Sequence, residues 1–323
     1  MKKGSPLLRE ARGALKARLP AAARRILRRA LGSGPRAIRM DQLDAELERV
    51  AQAYRRSSDE GVAAASSFRV ELDAPPPGDP WSAAYRDAQM ALYRRISGRS
   101  GYSVDHERSH IDLAAAIRQP YPYLTGSTAT VGDQLIAIGY LVQHLGLSPP
   151  ARVLELGPGW GNTTCVLAQM GFHVTAVDAD PQFVELVRAR SAAFSERVTA
   201  VHADMLDFRA DRPFDAALFF ESFHHCSDHL AMLARLRELV RGDGRILFAS
   251  EPVDDFPMPW GVRLDGLSAW SMRTYGWLEL GFQSSYFFEA LRRTGWSARR
   301  HRSHSLSALT DVIVATRISA SGG

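Results

Sequence analysis

The segment Val153-Leu154-Glu155-Leu156-Gly157-Pro158-Gly159-Trp160-Gly161-Asn162 constrains the fold more than any other stretch of the chain. An apolar run carrying one acid opens into three glycines at alternate positions. Thr163-Thr164-Cys165-Val166-Leu167-Ala168 then reads as the start of a helix. A strand that turns into a helix through glycines brings bare backbone close to a ligand.

Two readings of the loop compete, beside the plain alternative of a tight turn with no ligand. The dinucleotide fingerprint is G-x-G-x-x-G. Here the third glycine, Gly161, comes one residue early. Glu155 would oppose a pyrophosphate, which wants positive potential, and would welcome a cationic ligand. The next residues narrow the choice. Gly171 to Asp178 reads as a second strand ending in an acid, 21 residues after Gly157. That spacing suits a carboxylate receiving ribose hydroxyls. A helix follows from Pro181 to about Phe194, with proline in its first turn. Val198 to Met205 reads as a third strand, with Asp204 at its end. Pro213–Glu221 and Gly242–Ala249 are the fourth and fifth strands.

Acidic-x-Gly-x-Gly-x-Gly, followed by these strands in order, resembles the class I S-adenosylmethionine (SAM) methyltransferases over about residues 150–300. The resemblance implies an α/β fold: a doubly wound, mostly parallel, seven-stranded Rossmann-like sheet with an antiparallel final strand. It implies SAM as cofactor, held by Glu155, Gly157, Gly159, Gly161 and Asp178. Asp204 would bond the adenine amino group and Met205 would cover the ring. The segment 121–130 would close over SAM, with Tyr123 and Ser127 as candidate partners of its carboxylate. A capped loop with core tyrosines is the plain alternative there.

The charge distribution bounds the partners. Residues 1–40 hold twelve Lys or Arg and one acid, a local +11, which leaves −6 for the rest of a chain whose net charge is +5. The basicity belongs to a tail, so nucleic acid is not the expected substrate. A basic helix at about 20–31 suits an anionic membrane surface or a partner protein, against a plain solvated tail. Two cysteines exclude a disulfide framework. No apolar run is long enough to span a bilayer. The expected location is the cytoplasm, peripheral to the inner membrane face if the tail docks there.

Three parts are expected: a basic helical tail (1–40), a helical extension (41–120) and the methyltransferase domain (121–318) with an insertion at 252–283. Within the extension, helices are expected at 41–58, 81–97 and 105–118.

The chemistry is expected at the carboxyl ends of the strands. Glu221, His224 and His225 follow the fourth strand, and His225 or His224 is the expected general base. Packing or cofactor contacts are the plain alternative for that histidine pair. No metal is expected, because adjacent residues do not easily face one ion and a site needs three or four convergent donors. His106-Glu107-Arg108-Ser109-His110 is a literal H-E-x-x-H. Its polar flanks point to a capped surface helix rather than a zinc protease.

Three of the six tryptophans fall within 260–277. Trp260, Arg263, Trp270, Arg273, Tyr275 and Trp277 are the candidate acceptor residues, since aromatic faces and charged groups together suit a sugar. The alternative is the core of a small lid. Parts of 122–162 and 271–282 also resemble bacterial methyltransferases found beside or fused to glycosyltransferases of surface-polysaccharide assembly. The expected function is therefore O-methylation of a sugar or glycan. The rivals are a methyltransferase on a small secondary metabolite and a SAM-binding docking module without catalysis.

Overall fold

The computed structural model describes residues 34–318, except 75, 77, 110, 123–125 and 303–310. The basic helix expected at 20–31, Tyr123 and His110 lie outside the described residues.

The extension is mostly helical, with one departure. Strand β1 (Arg36–Arg39) pairs in parallel with β2 (Phe68–Glu71), Ile38 opposite Val70. Between them run α1 (Leu43–Arg56) and α2 (Ser58–Ala65). Leu43, Leu47, Val50 and Ala53 form the buried stripe of α1 at the three-to-four-residue spacing of a helix face. The strands escape sequence reading because each is four residues long, and β1 lies inside the basic region.

Helix α3 (Ala83–Ser97) is capped by Ser82 and stopped by left-handed Gly98. The helix expected at 105–118 breaks in two: a 3-10 turn, Val104–Glu107, and α4 (Leu113–Ile117). Between them the backbone N–H of Ser109 donates to Asp180 and that of Ile111 to Gln182. These long-range bonds take the donors that a continuous helix would use. Helix α5 (Thr128–Leu145) then leads into the sheet.

That sheet contains β3 (Arg152–Leu156), β4 (His173–Asp178), β5 (Val198–His202), β6 (Phe214–Phe220), β7 (Val240–Ala249), β11 (Trp296–Arg302) and β12 (Asp311–Arg317). Its order is β11-β12-β7-β6-β3-β4-β5. The five from β7 to β5 are parallel, and β12 is antiparallel to both β7 and β11. Central strands of a parallel sheet are covered on both faces, which is why β3 and β6 read as nearly unbroken apolar runs. Helices α6 (Asn162–Gln169), α7 (Pro181–Arg190) and α8 (His229–Leu239) connect the strands. This is a doubly wound, Rossmann-like fold.

The insertion is a folded unit. It holds β8 (Val253–Asp254), β9 (Trp260–Val262), α9 (Gly266–Thr274) and β10 (Leu280–Gln283), with strand order β8-β10-β9. Helix α10 (Ser284–Arg293) returns the chain to β11.

The N-terminal extension packs on this insertion. Tyr85 donates to the Trp260 carbonyl at 2.9 Å and Tyr93 to that of Gly276 at 2.6 Å. The buried Gln89 carboxamide accepts from Val262 N–H at 3.0 Å. Tyr54 stacks on Trp270 with centroids 5.1 Å apart. Extension and insertion thus form one cap over the carboxyl ends of the strands.

Candidate active site

The strand order reverses at β3, whose neighbours are β4 and β6. Ligands bind beyond the carboxyl ends at such a switch point. The glycine loop leaves β3 there with all three glycines at positive φ. Gly157 donates to the Val177 carbonyl at 2.9 Å. A Cβ at Gly157 would meet the Ser222 Cβ at 2.6 Å, whereas one at Gly159 would point into open space. Gly161 has a different task. It caps α6, and a Cβ there would press on the Val187 side chain at 2.9 Å, so this glycine lets α6 approach α7.

A cavity of about 780 Å³, counting its open mouth, lies over the loop. Gly157, Gly159, Asp178, Asp204 and Met205 line it. Asp178 accepts from Gly159 N–H at 3.1 Å and from Asp180 N–H at 2.8 Å. Burial pushes its carboxyl up to about 7 despite these bonds, so further donors such as a ribose diol would stabilise its charged form. An acid at the tip of β4, another beyond β5, a half-buried methionine and an open backbone at Gly159 are a donor set that fits an adenosine-bearing cofactor.

Other expected cofactor residues stand elsewhere. Glu155 does not line this cavity. It is buried beneath the loop and accepts from the Thr164 hydroxyl at 2.5 Å. Burial pushes Glu155 up to about 7. Its observed contact anchors α6 to β3. Ser127 caps α5 by accepting from Thr130 N–H at 3.2 Å and does not line the cavity.

At the far side of the cavity stand Glu221, His225 and Trp277. The same three residues line a second, larger cavity of about 2050 Å³ beneath the cap. Glu221 carries a positive φ of 51°, which a non-glycine residue adopts at a cost of order 1–3 kcal/mol. Burial pushes its carboxyl up to about 7.

His224 and His225 lie in a 3-10 turn, Phe223–His225, with ring centroids 4.2 Å apart. His224 Nδ1 is 2.8 Å from Glu251 Oε2. Glu251 also accepts from the backbone N–H groups of Ser222, Phe223 and His224, so it fixes the whole turn. Burial opposes a charge on His224, but Glu251 and Glu279 beside it outweigh that and hold its pKa above the usual value. His225 Nδ1 lies 2.7 Å from the Leu278 carbonyl. Burial, then His224, pushes His225 well below the usual value.

The candidate acceptor residues separate into two groups. Arg263 and Trp277 line the second cavity, and Arg263 bonds Asp265 at 3.0 Å and Glu279 at 3.4 Å. The other four do not line either cavity. Trp260 is core, packed on Tyr85 and His229, with its indole N–H on the Pro80 carbonyl. Trp270 stacks on Tyr54. Arg273 ties the cap together through the Ile96 carbonyl at 2.7 Å and Asp44 at 2.8 Å. Tyr275 is exposed and stacks on Trp277 with centroids 4.5 Å apart.

Three site residues escape sequence reasoning. Glu251 and Glu279 arrive from the two ends of the insertion. Only the position of Glu251, two residues past the end of β7, signals its place. Glu107 comes from the extension, accepts from Leu278 N–H at 2.9 Å and lines the first cavity. Burial pushes its carboxyl up to about 8. The H-E-x-x-H pattern thus begins in a 3-10 turn rather than on an α-helix, and its glutamate serves the cap.

Residues 153–244 match a family described as a methyltransferase domain. A 117-residue stretch is 30% identical to the ubiquinone biosynthesis O-methyltransferase of Xanthomonas campestris, covering 36% of this chain and 48% of that one. A 75-residue stretch is 39% identical to the ribosomal RNA small subunit methyltransferase A of Mycobacterium avium, covering 22% of this chain and 24% of that one. Among solved structures, the 1,6-didemethyltoxoflavin-N1-methyltransferase of Burkholderia thailandensis, with bound 1,6-didemethyltoxoflavin and S-adenosylhomocysteine, aligns at a TM-score of 0.47 and 22% identity. That alignment covers 76% of this chain and 97% of that one. The chain spans about half the length of the ubiquinone relatives it matches. The fold, the loop and the family match define the class: residues 153–244 form a SAM-dependent methyltransferase domain. Much of the second cavity's lining comes from outside that matched range, from 35–70 and 250–279.

Proposed function

We propose that the chain methylates an oxygen of a polyhydroxylated, sugar-like acceptor seated in the second cavity. One observation carries this reading: the cofactor cavity and the cap cavity share Glu221, His225 and Trp277. Transfer between two bound molecules requires that they meet in line with solvent excluded, and the shared wall is where they would meet. SAM, once bound, supplies the electrophilic methyl group.

The chain's residues do the rest. Asp178 and Asp204 orient the nucleoside. Trp277 offers an aromatic face, and Arg263, Asp254 and Glu279 offer the charged groups that hydroxyls bond. Glu221 takes the hydroxyl proton, in preference to either histidine. His225 has little affinity for a proton, and Nδ1 of His224 is committed to Glu251. Glu221 titrates near neutrality, where a general base works best. Acceptor identity is not carried over from the relatives, because the acceptor wall lies largely outside the shared domain.

Incubating cell extracts with the purified chain and methyl-labelled SAM tests the reading. Label in a sugar or glycan fraction supports it. Label confined to a phenolic or nitrogen-methylated product refutes the acceptor assignment. Absence of calorimetric binding of SAM and its demethylated product removes the methyltransferase reading altogether.

A further inference from the structure

We propose that His224, His225 and Glu279 form a binding site for one divalent transition-metal ion in the wall of the acceptor cavity. One nitrogen of each imidazole and one carboxylate oxygen lie within 4.8 Å of one another. His224 Nε2 stands 4.0 Å from Glu279 Oε2. A metal at about 2.1 Å from each donor holds such atoms roughly 3.0–3.5 Å apart, so binding would draw the trio together by about one ångström.

The surroundings of the histidines point the same way. A metal-binding imidazole typically donates its other ring N–H to a carboxylate or a backbone carbonyl, which fixes the tautomer and aims the lone pair. Both arrangements are present. Nδ1 of His224 faces the Glu251 carboxylate, and Nδ1 of His225 faces the Leu278 carbonyl. With the proton on Nδ1 in each ring, both Nε2 atoms carry lone pairs. Glu251 is itself locked by three backbone N–H groups.

Adjacency, which argues against a shared ion on a helix or strand, is overcome by the tight turn. It brings the two ring centroids to 4.2 Å, with the planes tilted by 39°.

Glu107, Glu221, Glu251 and Glu279 converge here. Among the described residues, Arg263 is the fixed cation that bonds into this cluster, and it is shared with Asp265. Two imidazoles and one carboxylate with open positions select zinc, iron(II), cobalt(II) or nickel(II) over magnesium or calcium. Because all three donors line the second cavity, the open positions face the acceptor. A hydroxyl bound there is polarised beside Glu221, which makes its proton easier to remove.

The test uses the full chain, stripped with chelator and titrated with cobalt(II) alone. The expected result is one equivalent bound with a visible ligand-field spectrum. His224→Asn or Glu279→Gln should abolish that spectrum. Glu251→Gln, which touches no metal, should weaken binding by about 10–100-fold.

His144 and His301 pack ring to ring on another face, with centroids 4.2 Å apart, so His144→Asn is the control and should change nothing. Absence of stoichiometric binding overturns the proposal. So does binding that survives Glu279→Gln or disappears with His144→Asn. Thermal melts come first. If His224→Asn does not fold, the isosteric Glu279→Gln carries the test. No cofactor or acceptor is present, so a negative result leaves the methyl-transfer reading standing.

Discussion

The two halves of the site are built differently. The cofactor half comes from short-range units: a strand, its loop and the next strand end, all within 153–205. Its side chains are held by neighbours, as when Asp178 bonds Gly159 and Asp180. The acceptor half comes from pieces far apart in sequence. Arg69, Glu221, Glu251 and Glu279 line one cavity, and the cap over it is tied by bonds spanning more than 170 residues, such as Tyr85 to Trp260 and Arg273 to Ile96. A local unit fixes which cofactor fits, and a long-range assembly fixes what the cofactor meets. The first lies within the residues that match the methyltransferase-domain family, 153–244, whereas much of the second lies outside them.

The sharpest test of this division is Glu221→Gln. It should lower kcat by about 10²–10⁴-fold, the usual worth of a general base, while cofactor affinity measured by calorimetry stays within a few-fold. A parallel loss of both would erase the distinction between the halves.

Trp260→Ala should cost about 3–5 kcal/mol of stability, as buried aromatic truncations do. The activity of the molecules that remain folded should be largely kept. Trp277→Ala should do the reverse, raising the acceptor KM with a smaller loss in chemical denaturation. If the two tryptophans exchange these behaviours, the cap cavity is not the acceptor site.

Asp178→Asn should weaken cofactor binding by about 1.5–3 kcal/mol, the worth of hydrogen bonds to a charged group. The acceptor KM should be untouched.

His229 links the cap to stability. It is buried against Trp260, Phe282 and Tyr286, with Nε2 2.8 Å from the Tyr286 hydroxyl, and burial pushes it down to about 3. The unfolded chain therefore binds the extra proton between about 6.5 and 3, and stability falls as pH drops through that window. The slope approaches about 1.4 kcal/mol per pH unit. Denaturation midpoints measured across pH 4–7 should show it, and His229→Phe should flatten it. The smallest effect belongs to Arg273→Ala. Its partly exposed pair with Asp44 should contribute no more than about 1 kcal/mol, read as a small loss of cap protection in hydrogen exchange.

Legibility in the sequence followed the same division. Apolar runs located the five parallel strands, β3 to β7, to within a few residues, because burial on both faces of a parallel sheet leaves little choice of residue. The glycines and Asp178 were legible because backbone conformation and strand-end position restrict what can stand there. The insertion was legible only in composition. Its tryptophans look alike in sequence, yet Trp260 is core, Trp270 stacks on the extension and Trp277 lines the cavities. Which of these a tryptophan becomes depends on what packs against it from residues 43–97. The helix expected at 105–118 failed for a similar reason, since Asp180 and Gln182, some 70 residues away, take its backbone donors.

The sequence by itself determined the parallel strands, the glycine turn and the acids at the ends of β4 and β5, because each rests on local geometry and on apolar patterning along the chain. Tertiary structure alone decided that Glu155 lies beneath the loop, that Glu107, Glu251 and Glu279 converge on the histidine pair, and which aromatic residue lines the cap cavity. Those outcomes depend on contacts between segments far apart in the chain, and a linear pattern carries no record of which distant side chain will fill the space opposite.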